Sequence, residues 1–124
     1  MNKTGKIDIR TAVAWWFVTI GYMGIIFYLS SLQDMDISRF PDNFDKVVHT
    51  GIYIPLSFLL YLSFRKSGVK KYVFFMAFIF AAAYGISDEI HQSFVPGRDA
   101  ALGDVLADTF GAFIGSLAAN FTKT

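Results

Sequence analysis

Hydrophobic residues fall along the chain in four blocks, with the charged residues acting as punctuation between them. Residues 12–32 carry no charge at all. The second block, about residues 47–64, is interrupted only by His49 and carries Pro55, which neighbouring helices accommodate in a membrane span. The third, about residues 72–92, is apolar to Tyr84 and then turns polar through Gly85, Ser87, Asp88, Glu89, His91 and Gln92. The fourth, about residues 104–121, contains Asp108 and a small-xxx-small pair, Gly111 and Gly115, that lets helices approach closely. Each block is near the roughly 20 residues a helix needs to cross a hydrocarbon core. The pattern therefore predicts an all-α integral membrane bundle of four transmembrane helices, at about 12–32, 45–64, 70–92 and 104–121, within one domain spanning residues 1–124. The longest connection, about a dozen residues near positions 33–44, leaves no room for a soluble domain. The first block is longer than the apolar stretch of a signal peptide and no A-x-A site follows it, so it reads as a permanent helix.

Composition agrees with lipid as the solvent. Of 124 residues, 54% are hydrophobic and 18% aromatic, more apolar surface than a soluble domain of this size can hide. Cysteine is absent, which removes disulfides, thiolate metal ligands and a cysteine nucleophile. The net charge of +1 conceals a lopsided distribution. Lys3, Lys6 and Arg10 precede the first block, Arg65, Lys66, Lys70 and Lys71 join the second to the third, and Lys123 follows the fourth. The positive-inside rule makes these segments cytoplasmic and predicts an N-in/C-in protein of the cell membrane. Asp34, Asp36, Asp42, Asp45, Asp88, Glu89, Asp99, Asp104 and Asp108 then lie toward the other face.

Counting from the cytoplasmic end of each span at the helical rise places His49 roughly 22 Å, Asp88 roughly 24 Å and Asp108 roughly 20 Å up their helices. Three helices thus bring ionisable groups to one depth, facing the extracytoplasmic side. Such groups are costly against lipid and mark a bundle interior or a wet cavity. Asp45 and His49 are spaced i,i+4, as are Asp88 and Gln92, and Asp104, Asp108, Gly111 and Gly115 form one stripe. Pro96, Gly97, Arg98 and Asp99 read as a tight turn that holds Arg98 over this layer. Asp34, Asp36, Arg39 and Asp42 read as solvated loop charges, and Lys46 also fits a snorkelling side chain. A structural salt-bridge network remains the bland alternative for the whole layer. No zinc helix motif, phosphate loop or nucleophile elbow is present. Two histidines and several carboxylates are chemically able to hold a divalent cation, but no spacing is diagnostic and no metal site or cofactor is assigned.

These residues carry a resemblance. Asp45-Lys46-Val47-Val48-His49, then Glu89-Ile90-His91-Gln92 with Pro96-Gly97-Arg98, then Asp104-Val105-Leu106-Ala107-Asp108 followed by Gly111 and Gly115, resemble the VanZ-like family of bacterial membrane proteins. Phe27-Tyr28-Leu29-Ser30-Ser31 is similar to that family as well. Where Asp108 stands, the family more often has Asn. The resemblance implies a link to resistance against teicoplanin-type glycopeptide antibiotics and a role in the cell envelope.

Two readings of function follow. In the first, the layer binds or processes an anionic amphiphile, a lipid head group or a lipid-linked cell-wall precursor. Arg98 binds phosphate or carboxylate through its planar fork, aided by Lys46, Gln92, Asp104 and Asp108. His49, oriented by Asp45, is the general base, and Asp88 or Glu89 the general acid. In the second, the chain is a non-catalytic binding or scaffold module whose layer is structural or sequesters an antibiotic such as a lipoglycopeptide. Membrane lipids are the expected partners and nucleic acid is not one. Transport is a weaker third reading, since four helices line a pathway only as an oligomer.

Overall fold

The computed structural model describes residues 7–31, 44–95 and 102–122, with the side chains of residues 44 and 45 outside that description. Four helices fill it: α1 (Ile9–Ser31), α2 (Phe44–Lys66), α3 (Val73–Gln92) and α4 (Leu102–Asn120). Each is long and apolar enough to cross a membrane, and among the described residues there is no strand. The chain is an all-helical membrane bundle.

Local chemistry sets the ends. Asp8 caps α1, its carboxylate accepting from the backbone N–H of Arg10 at 3.1 Å and from the Thr11 hydroxyl at 2.9 Å. The cap explains why α1 begins at Ile9, ahead of the uncharged block that starts at residue 12. Hydrogen bonds from Thr11 hold the Asp8 carboxyl below its usual range. At the other end of α2, Gly68 sits at φ 97°, its N–H bonds the Arg65 carbonyl at 3.1 Å, and the Val69 N–H bonds that of Phe64 at 3.0 Å. That paired closure is a Schellman motif, which requires the left-handed residue glycine supplies. Tyr72 is also left-handed, at φ 63°, so α3 starts at Val73 rather than near position 70. Pro55 lies inside α2, which runs through it unbroken.

The closest pair is α2 with α4. Apart from Asp104 and Asp108, the buried residues of α4 are all small: Ala107, Gly111, Ala112, Gly115, Ser116 and Ala119. A Cβ at Gly111 or Gly115 would overlap the Thr50 or Ile54 carbonyl of α2, so glycine is what lets the two backbones meet. Ser57 and Ser116 hydrogen-bond within this seam, and the Tyr61 hydroxyl donates to Asn120 Oδ1 at 3.0 Å. On α3, Ala77, Ala81 and Gly85 recur every four residues and bury against the same core.

α1 packs on the side of this trio, touching α2 and α3 but not α4. Its buried residues Ala12, Thr19 and Ile26 recur every seven positions, with Ser30 beyond them. Hydrogen bonds secure it along its length. Trp16 Nε1 donates to Ser67 Oγ at 2.7 Å, Thr19 shares one with Ser63 at 2.8 Å, and the Tyr84 hydroxyl reaches the Met23 carbonyl at 2.6 Å.

Candidate functional site

The polar layer forms where α1 and α3 end and α2 and α4 begin, and it draws on all four helices. His49 on α2 points at α4. Its Nδ1 lies 2.7 Å from Asp108 Oδ1, and its Nε2 lies 3.9 Å from Asp104 Oδ2. A carboxylate only accepts, so Nδ1 carries the proton in the first contact and Nε2 keeps its lone pair when the ring is neutral. Lys46, one turn nearer the end of α2, brings Nζ to 3.7 Å from Asp104 Oδ1. Its stem crosses α4 at Gly103, where a Cβ would meet Lys46 Cε at 2.7 Å.

Asp108 is wholly buried. Its seat is made by α3: a Cβ on Gly85 would stand 2.8 Å from Asp108 Cβ and 3.0 Å from its Oδ2. Gly85 thus lets a carboxylate from α4 sit against the backbone of α3 and face His49 on α2.

α3 supplies the rest of the interior. Asp88, Glu89 and Gln92 are buried, on the stripe continued from Gly85. Ser30 of α1 donates its hydroxyl to Asp88 Oδ1. Beside that bond Ser31 Oγ and His91 Nε2 are hydrogen-bonded at 2.8 Å, and the His91 ring stacks on Phe27 at 4.4 Å. A cavity of about 120 Å³ lies between α1, α2 and α3, with His49, Asp88 and Gln92 in its wall. Buried Tyr53, one turn inward from His49, lines it too.

The structure therefore brings together His49, Asp104, Asp108 and Lys46 as one cluster, and Asp88, Gln92 and Ser30 as a second, with the cavity touching both. Glu89 is buried on α3 beside Asp88. The side chain of Asp45, and Arg98 with its turn, lie outside the described residues. The carboxylate found at His49 Nδ1 is Asp108, from another helix. Four contributors were assigned no site role from the sequence: Ser30, Tyr53, Gly85 and the Ser31–His91 pair. Tyr53 had a signal, since it stands i,i+4 from His49 on the same face. Gly85 had one in its i,i+3, i,i+4 and i,i+7 spacing to Asp88, Glu89 and Gln92. Ser30 had none in its chemistry, being one neutral hydroxyl at the end of an uncharged span. Among the described residues no three His, Asp or Glu side chains group as metal ligands.

A family model described as VanZ/LLP1 matches residues 12–123. Comparison with curated proteins and with solved structures gave no match.

Proposed function

Taking as premise that this multi-pass membrane protein belongs to the VanZ/LLP1 family, we propose that its polar layer is an outer-leaflet site that binds or processes an anionic amphiphile, either a lipid head group or a lipid-linked cell-wall precursor. The observation that carries this reading is the contact of buried Asp108 with His49 beside a cavity. Asp108 fixes the tautomer and leaves Nε2 as the lone pair able to take a proton from a substrate hydroxyl or water. Asp45 stays a second candidate for orienting the ring, and Asp88 or Glu89 for returning the proton. Lys46, at the rim, attracts the phosphate, and Arg98 is the second candidate for that role because its guanidinium offers two parallel donors. The orientation rests on the basic residues Arg65, Lys66, Lys70 and Lys71 at the far end, from which the positive-inside rule predicts both termini inside and the layer outside. A contribution to teicoplanin tolerance is the phenotype this site would serve.

A scaffold reading has one observation in its favour: Ser30–Asp88 and His49–Asp108 each tie two helices together, as a structural network would. Two variants separate the readings. Glutamine at His49 still hydrogen-bonds but cannot cycle a proton, and lysine at Arg98 keeps the charge but not the fork. His49→Gln and Arg98→Lys should accumulate to parental levels in membranes yet lose the envelope phenotype, and lipid extracts incubated with purified parent should change composition. Low abundance of both variants with full activity per molecule would make the layer architecture only.

A further inference from the structure

The described layer is acidic. Asp88, Glu89, Asp104 and Asp108 are all buried there, against Lys46 and the two histidines His49 and His91. A phosphate pushed inward would meet like charge, so the phosphate of an amphiphile belongs at the Lys46 rim and something else belongs in the cavity. Asp88 lines that cavity, and so does Tyr53. Tyr53 is only 1% exposed, and its hydroxyl ends beside Asp88 without a hydrogen bond of normal geometry. A buried hydroxyl in that state is incomplete, because buried polar groups as a rule find a partner.

Shape narrows the ligand further. The cavity has apolar lips, Leu29 on α1 and Val48 on α2, both more than a third exposed, with Ile26 and Ile52 behind them. Those exposed lips put its accessible side at α1 and α2. At about 120 Å³ it holds roughly four waters, which suits an aminoethyl group and is too small for a sugar.

We propose that this cavity receives the primary ammonium of a membrane amphiphile that enters laterally between α1 and α2, with Asp88 and the Tyr53 hydroxyl as its acceptors. The inference rests on the amphiphile reading above and narrows it to a zwitterionic head: phosphate at the Lys46 rim, ammonium inside. An ammonium brings three donors and no acceptor, which matches a carboxylate and a phenol oxygen.

The test is binding of short-chain lipids to the detergent-purified full chain, followed by native mass spectrometry. Dihexanoylphosphatidylethanolamine should bind at least tenfold more tightly than its N-acetylated form or dihexanoylphosphatidylglycerol. Asp88→Asn, which can still accept from Ser30, should bring those ratios close to one, and Tyr53→Phe should lower them several-fold at unchanged melting temperature. Decylamine distinguishes the sources. Binding weaker than the aminophospholipid assigns the ligand to phospholipid, and equal binding assigns it to any amine-bearing amphiphile; both support an ammonium site. Equal binding of the amine and N-acetyl lipids, with phosphatidylglycerol bound in a manner lost in Lys46→Ala, would overturn the ammonium site and leave the amphiphile reading standing. If none of the four probes binds, both fail together.

Discussion

Asp108 has to be both sequestered and useful, and its surroundings show how. It is wholly buried, it holds the ring nitrogen of His49 at 2.7 Å, and Gly85 makes the space it occupies. Removing one partner from a buried hydrogen bond costs about 1–3 kcal/mol, so Asp108→Ala should lower the detergent melting temperature clearly. Asp108→Asn keeps an acceptor for Nδ1–H and should cost less than about 1 kcal/mol. Equal losses in thermal unfolding of the two would show that charge, not the hydrogen bond, holds the pair. Gly85→Ala should cost about 1–3 kcal/mol by pushing a methyl into the Asp108 carboxylate, and should lose site function even where protein accumulates. Counting residues from the charged ends put His49, Asp88 and Asp108 at one level, and in the structure His49 meets Asp108 and shares a cavity wall with Asp88. Periodicity names a face, however, and not the helix across from it. It therefore pointed from His49 to Asp45 one turn away, whereas the described partner comes from α4, 59 positions along the chain.

Between elements, the question is which seams carry the packing. The α2–α4 seam is made of bare backbone, with the Ile54 carbonyl resting against Gly115 and the Thr50 carbonyl against Gly111. Gly24 of α1 has nothing within 4 Å of where a Cβ would stand. Gly115→Leu should thus destabilise the bundle by at least about 2 kcal/mol, while Gly24→Leu leaves the melting temperature near that of the parent. Similar melting curves for the two would mean that α4 does not pack as described. The small-xxx-small pattern made this seam readable in advance, because close helix approach has few chemical solutions. The attachment of α1 was less readable. An uncharged span suggests a helix against lipid, and α1 does lie on the side of the trio. Its grip comes from single hydroxyls and rings, Thr19 to Ser63 and Trp16 to Ser67, which look the same in sequence as lipid-facing residues. The Schellman closure at Gly68 and the left-handed Tyr72 likewise moved the start of α3 to Val73, because a backbone sign change leaves little trace in hydropathy.

For the molecule as a whole, the two ends of the bundle differ in charge, and that difference predicts how it sits in the membrane. Arg65 and Lys66 close α2, and Lys70 and Lys71 lie in the short link to α3, so four cations are gathered at one end by the turn at Gly68. The opposite end holds the buried carboxylates. Cations beside a span resist translocation whereas acids contribute little, so the turn at Gly68 is expected in the cytoplasm and the acidic end outside. Because the chain has no cysteine, single replacements report position without background. Asp36→Cys and Ala100→Cys should react in intact cells with a thiol reagent that cannot cross the membrane. Lys71→Cys, exposed at the other end, should react only after the cells are opened. Reversed labelling would place the His49–Asp108 pair at the cytoplasmic face. An outer-leaflet substrate could not then reach it, and lipid-linked precursors on the inner leaflet would become the amphiphiles to test.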